Sequence, residues 1–367
     1  MPKIDQVSLA QLKPMLADRR AMLQSFGAAA IGISFLGLSG CGGGTKSARA
    51  DKAGTGEEAS LNFYNWDTYI GETTLADFKG ASDIAVNMSI FSNNDELFAK
   101  LRAGNPGYDV IVPSNDFVER LVSADMLMPL DHAQIPNFKN IMPEYQDVPY
   151  DHKRAYSMPY TWLVVGIGYR KSRVNAVPDS WKTVLDSDEY KGRISLEGEA
   201  GDLFRLYAKY LGHSLNALTP ALIADIEARL IRQKPNIKNF HSDNGQDLLE
   251  AGEVDLVIEY NGDIAQKMVA NPDIGFVIPK EGSLLNADNL CIPKGAPHPK
   301  NAHAFINYLL DGDVGKKIAE TIQYATPNAA AKALMPESYK NSQAVYPPAA
   351  VLKTCEYAKF DATLQPL

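Results

Sequence analysis

Cysteine, histidine and tryptophan are scarce in this chain, and their scarcity removes several classes of protein at the outset. With three cysteines and six scattered histidines there is no CxxC or HExxH spacing, so no metal site is assigned. P-loop and GxSxG patterns are missing as well. The sequence therefore carries no enzyme signature, no catalytic residue and no implied cofactor. Beyond the first forty residues no apolar run is long enough to span a bilayer, which leaves a globular body. An excess of basic charge is lacking too: the formal net charge is −8, which argues against a nucleic-acid partner and is compatible with a cationic ligand.

What is present begins with a targeting segment. Arg19 and Arg20 precede an apolar run from Phe26 to Leu38, which ends in Leu38-Ser39-Gly40-Cys41 and three glycines. An arginine pair, a short apolar run and small residues before a cysteine resemble a bacterial lipoprotein signal, and the pair also resembles a twin-arginine export signal. Residues 1–40 are expected to be removed, with Cys41 lipidated as a membrane anchor in the cell envelope. Residues 41–59, rich in Gly, Ser, Ala and charge, read as a flexible tether. General secretion stays open as the export route. Of the two cysteines left, Cys291 and Cys355, the spacing alone does not say whether they pair.

The body is 367 − 59 residues at most, enough for two lobes with cores of their own. Leu61–Tyr64 is a short apolar strand that breaks into Asn65-Trp66-Asp67-Thr68-Tyr69, two aromatics flanking a carboxylate on a loop. That combination can hold a cation: an ammonium gains about 0.5–2 kcal/mol over an aromatic face. The same rings could instead cap a core. Helical spacing over Glu72–Lys79, a strand over Ile84–Phe91, a helix over Asp95–Arg102 and a continuous apolar strand over Tyr108–Val112 predict a doubly wound α/β unit. Ligands of such units sit at the carboxyl ends of the strands, where Trp66–Tyr69 and Pro113–Asp116 fall. The β-rich run Tyr156–Tyr169 is longer than one strand usually needs, and is expected to leave one lobe and enter the next. A second α/β unit follows: helix Trp181–Leu185, strand Ile194–Leu196, helices Asp202–Leu211 and Pro220–Gln233, and strands Val254–Glu259 and Gly275–Pro279. Asp288–Pro293 is expected as the return crossing, followed by helices over Lys300–Leu310, Val314–Ile322 and Ala329–Leu334.

YNWDTYI, YDVIVPSNDFV, MPYTW followed by GIGYR, FHSDN with a downstream EYNGD, IPKEG and QYATPN occur in an order that resembles the periplasmic polyamine-binding proteins of ABC importers, the spermidine/putrescine-binding group. The resemblance runs from about Leu61 to about Leu334. It implies a two-lobed type II periplasmic-binding fold in α/β architecture, each lobe a doubly wound, mostly parallel sheet. Residues 61–164 with 292–324 would form one lobe, and 165–291 with 327–367 the other. Putrescine or spermidine would lie in the cleft between them, a permease would receive it, and the protein would be a monomer.

Carried onto this sequence, the resemblance implies a cleft built from Trp66 and Tyr69 with Asp67 or Thr68 between them, the family often placing an acid at the site of Thr68. Ser114 matches a ligand-contacting serine, and Asp116 stands where some members carry an aromatic. Glu199 and Asp202 match an acidic pair opening a second-lobe helix. Tyr260 and Asp263 match a tryptophan and an aspartate, Asp288 an acid on the return strand, and Gln323 and Tyr324 residues at the last crossing. Read as residues alone, Asp202 and Asp116 could be helix caps, and Tyr260 and Tyr324 could be core. Trp162 and Trp181 are assigned to packing. Thr68, Asp116 and Tyr260 keep open a second reading, the same fold binding another organic cation, an amino acid or a metal complex.

Overall fold

The computed structural model describes residues 56–242 and 244–360. Arg19, Arg20, the apolar run and Cys41 lie outside the described residues. No helix among the described residues is long and apolar enough to cross a membrane.

The chain alternates strands and helices from its first strand, β1 (Ser60–Asn65), through α1 (Thr74–Ser82), β2 (Ala85–Ile90), α2 (Asn94–Arg102), β3 (Val110–Ile111) and α3 (Asn115–Ser123). Each boundary has a local cause. Asn93 caps α2 by accepting the Glu96 backbone N–H at 2.8 Å, and α1 ends at Asp83, which takes a left-handed φ of 66°. Short 3-10 turns then carry the chain from residue 132 to 154, a stretch that carries too little periodicity to be read from sequence.

The long run is one strand of 14 residues, β4 (Ser157–Arg170). It is followed by α4 (Lys182–Leu185), β5 (Ile194–Glu197), α5 (Ala200–Tyr210), α6 (Pro220–Gln233), β6 (Ile237–His241), α7 (Gly245–Glu250), β7 (Leu256–Tyr260), α8 (Asn261–Ala270) and β8 (Ile274–Val277). The return is β9 (Leu284–Cys291), four residues earlier than expected, and α9 (Pro299–Leu309), α10 (Gly312–Ile322) and α11 (Ala329–Leu334) follow. Two four-residue helices, α12 (Glu337–Lys340) and α13 (Ala349–Leu352), and a short strand, β10 (Glu356–Tyr357), complete the described chain.

Strand order is 2-1-3-9-4-7-5-6, with β10 on β9 and β8 on β4. β1 runs parallel to β2 and β3, and β5 parallel to β6 and β7, as expected of doubly wound sheets. Between these parallel sets stand β4 and β9, which pair antiparallel. β4 changes partner along its length: Ser157–Val164 lies against β9, and Val165 onward lies against β7 and then β8. One strand thus belongs to both halves of the sheet, which is why it is so long and buried along nearly all of it.

Separate apolar clusters lie on either side of that crossing. One gathers Leu61, Phe63, Val110, Leu290, Phe305 and Ile318. The other gathers Trp181, Ile194, Leu203, Leu206, Tyr207 and Ile258, so Trp181 packs as expected. Trp162 is also buried, in a third cluster with Ala325 and Tyr339. Tyr260 packs against both of the first two clusters and is the side chain that stands between them. Cys291 is buried and Cys355 half-buried, and both are free thiols.

Candidate functional site

Strands β3, β5 and β7 each lead within four residues into a helix, α3, α5 and α8. Ser114, Glu199 and Tyr260 are the N-cap residues of α3, α5 and α8, and none of the three uses its side chain to cap its own helix. Their side chains are left for other partners. Asp116, Asp202 and Asp263 follow in the first turns of the same helices, where the helix dipole favours a carboxylate.

Part of this set closes around a narrow cavity of about 30 Å³, lined by Trp66, Asp67, Tyr69, Ser114, Leu163, Tyr260, Asp263, Asp288 and Tyr324. Eight of these nine were expected; Leu163, on the crossing strand, was not. Asp288 lies at the floor. Its two oxygens accept the Tyr69 hydroxyl and the Ser114 hydroxyl, each at 2.8 Å, and Tyr69 also bonds Thr161. Asp263 accepts the Tyr324 hydroxyl and, at 3.3 Å, the Gln266 amide. Both carboxyls are buried, and among the described residues neither has a cationic partner. Burial pushes Asp288 up to about 6, the two hydroxyl donors only moderating the effect. Burial and then the charge of Glu259 hold Asp263 well above the usual carboxylate range.

Aromatic rings form the walls. Tyr69 meets Tyr160 and Tyr324 edge to face, at 5.5 and 5.0 Å between centroids. Trp66 packs on Phe91 at 4.3 Å, and its indole N–H donates to the Val112 carbonyl at 2.9 Å, so the ring is fixed at the rim. Gly262 is required here: a Cβ at that position would stand 2.3 Å from the Tyr324 ring. Asp67 is exposed at the entrance, its carboxylate accepting the Thr68 backbone N–H at 2.9 Å.

Other expected residues fall outside this cavity. Thr68 is exposed, with a left-handed φ of 49°, and does not line the cavity. Gln323 is the left-handed C-cap of α10, and its amide donates back to the Glu320 carbonyl. Asp116, Glu199 and Asp202 lie at the far side of Tyr260, whose hydroxyl donates to Asp202 at 3.1 Å. There Asp116 and Asp202 share a cation from the chain itself: Arg205 Nη1 is 3.0 Å from an oxygen of each. Arg205 was not anticipated. The i,i+3 spacing to Asp202 was a visible signal for one of its partners, but Asp116 is 89 positions away and left none.

Glu197, also unanticipated, joins Glu199 and Asp202 in a group whose carboxylate oxygens lie within 4.8 Å of one another. Burial, then the charge of Asp202, pushes Glu197 and Glu199 well above the usual carboxylate range. Such a trio could in principle ligate a cation, but Arg205 already occupies one side of Asp202.

The fold has counterparts of known class. The substrate-binding protein of a spermidine/putrescine ABC transporter from Streptococcus pneumoniae superposes with a TM-score of 0.71 at 32% identity, over 84% of this chain and 95% of that one. A lipoprotein of Treponema pallidum superposes with a TM-score of 0.73 at 25% identity, covering 83% and 96%. In sequence, the spermidine/putrescine-binding periplasmic protein of Escherichia coli strain K12 is 34% identical over 315 residues, 86% of this chain and 89% of that protein. The model of the bacterial extracellular solute-binding protein family matches residues 73–347, and the chain belongs to that family.

Proposed function

We propose that this protein captures a polyamine, putrescine or spermidine, in the Trp66–Tyr324 cavity and delivers it to an ABC importer. The observation that carries the reading is the pair of buried carboxylates, Asp263 and Asp288, each bonded only to neutral donors and set among Trp66, Tyr69, Tyr260 and Tyr324. A polyamine is a chain of methylenes between ammonium groups. Its charges need direct partners when buried, and its methylenes need apolar walls. The cavity offers carboxylates for the first and rings for the second. Two such contacts in an aromatic slot supply roughly 8–11 kcal/mol, a Kd from micromolar to about ten nanomolar.

The printed names of the Escherichia coli and Streptococcus pneumoniae relatives, a spermidine/putrescine-binding protein and a spermidine/putrescine transporter component, support the same ligand class. The change of partner along β4 supports a division into lobes at residue 164, with the cavity between them. Closure of the lobes on the ligand would present an altered face to the permease. Residues 1–40 act as an export signal, possessing an arginine pair suited to the twin-arginine route, and Cys41 carries lipid that holds a monomeric protein at the membrane in the periplasm. The Treponema pallidum relative, a lipoprotein by name, is in keeping with that anchor.

Isothermal calorimetry of the purified protein against putrescine, spermidine, spermine and a neutral sugar tests the ligand. One-to-one binding of a polyamine that weakens with salt is expected. If every amine is silent, the ligand assignment falls while the fold and the family stand.

A further inference from the structure

Asp116 and Asp202 sit beyond Tyr260, where a second or third ammonium of a long polyamine would have to go. Both are buried, at 7% and 4% exposed. Each gives an oxygen to Arg205 Nη1 at 3.0 Å, and Nη2 of the same guanidinium donates to the Lys359 carbonyl at 3.1 Å. A guanidinium does not lose its proton in this setting, so the two acids and Arg205 together hold one net negative charge in place of two. Glu197 and Glu199 have oxygens within 4.8 Å of Asp202, and burial and then the Asp202 charge push both well above the usual carboxylate range.

Space does not limit this end. A cavity of about 550 Å³ opens there, lined among others by Asp116, Glu199, Phe204 and Arg205. Any cation that reached for Asp116 through it would meet the fixed positive charge of Arg205, 3.0 Å from that carboxylate. On the near side of Tyr260 the situation is the opposite: Asp67, Asp263 and Asp288 face the slot with no cation among them.

Resting on the polyamine reading above, we propose that Arg205 determines specificity by taking the cation position at the Asp116/Asp202 end, so that the cleft selects ligands carrying two positive charges over those carrying three. The discrimination is by charge and not by length. Arg205 is a positioning residue in this account, since it acts through Asp116 and Asp202.

The test compares three ligands by calorimetry on the purified protein: putrescine, spermidine, and spermidine monoacetylated at one end, which keeps most of the length but has two charges. Putrescine is expected to bind at least tenfold more tightly than spermidine, and the acetylated triamine to recover most of that difference. In Arg205→Gln, spermidine should gain at least tenfold relative to putrescine. Should that variant fold poorly, the acetylated ligand on the unaltered protein decides alone. Spermidine binding as tightly as putrescine, acetylated spermidine as weak as spermidine, or an unchanged ratio in folded Arg205→Gln would each overturn the role of Arg205. Failure of all three ligands to bind would instead overturn the polyamine reading itself.

Discussion

Asp263 and Asp288 are costly residues to hold where they are. A carboxylate taken out of water without a cation gains too little from hydroxyl donors to offset its lost hydration, and the group responds by holding its proton. Replacing Asp263 with asparagine removes an acid whose ionisation burial opposes in the ligand-free fold. Asp263→Asn is therefore expected to keep or raise the melting temperature while weakening polyamine binding by about 1.5–4 kcal/mol, measurable by thermal denaturation and calorimetry on the same sample. Asp288 gives a pH signature. Its native pKa of about 6 lies above its ordinary 3.8, so between these values the folded protein binds the proton more tightly than the unfolded chain. That contribution is present at low pH and is lost as pH rises through 6, by up to about 3 kcal/mol. Compared with the unaltered protein, Asp288→Asn should be more stable at pH 7 and no more stable at pH 4 in urea titrations. Binding runs the other way: an ammonium needs the ionised carboxyl, so polyamine affinity should fall as pH drops below about 6, with proton release visible as a buffer-dependent heat.

At the scale of elements, the site depends on strand-to-helix junctions. β3 into α3, β5 into α5 and β7 into α8 each place an uncapping side chain and a first-turn acid at the carboxyl end of a strand. None of these acids is the N-cap of its helix, those being Ser114, Glu199 and Tyr260; Asp116 and Asp202 pair with Arg205, and Asp263 accepts the Tyr324 hydroxyl and the Gln266 amide. α8 also shows how close packing is part of the design. Alanine at position 262 would gain about 1 kcal/mol in helix propensity, yet its Cβ would collide with the Tyr324 ring at 2.3 Å, and overpacking of this kind costs about 1–3 kcal/mol. Gly262→Ala should lower stability on balance and also weaken polyamine binding, because the displaced ring carries the hydroxyl that orients Asp263. Equal affinity in the variant would remove Tyr324 from the site.

For the molecule as a whole, a ligand that binds only the folded state couples binding to stability. A polyamine at one hundred times its Kd stabilises the folded state by about 2.7 kcal/mol. For a body of this size that is roughly a 5 °C rise in melting temperature, and a neutral sugar should give none. β4 and β9 are the shared frame of those halves. Their antiparallel pairing lies between two parallel sets of strands.

Much of this architecture was legible in the chain. Apolar runs such as Leu61–Tyr64 and Ile194–Leu196, the helical spacing of Pro220–Gln233 and the long β-rich segment before Tyr169 are local patterns, and local patterns set strands, helices and their alternation. Trp66 and Tyr69 could be placed at the end of a strand, where ligands of such folds gather, whereas Asp263, Asp288 and Tyr324 were named through the resemblance to the polyamine-binding group. What sequence could not decide was the partner of each charge. Asp288, within β9, and Asp116, in the first turn of α3, are both buried acids, yet one faces only hydroxyls and the other faces Arg205. Thr68 and Gln323 flank lining residues yet do not line the cavity, and each takes a left-handed backbone conformation that their residue types do not announce. The sequence by itself determined the class of fold and the residue types at the cleft; the tertiary structure alone decided which carboxylates remain without a cation, since pairing depends on distances between segments that the order of residues does not contain.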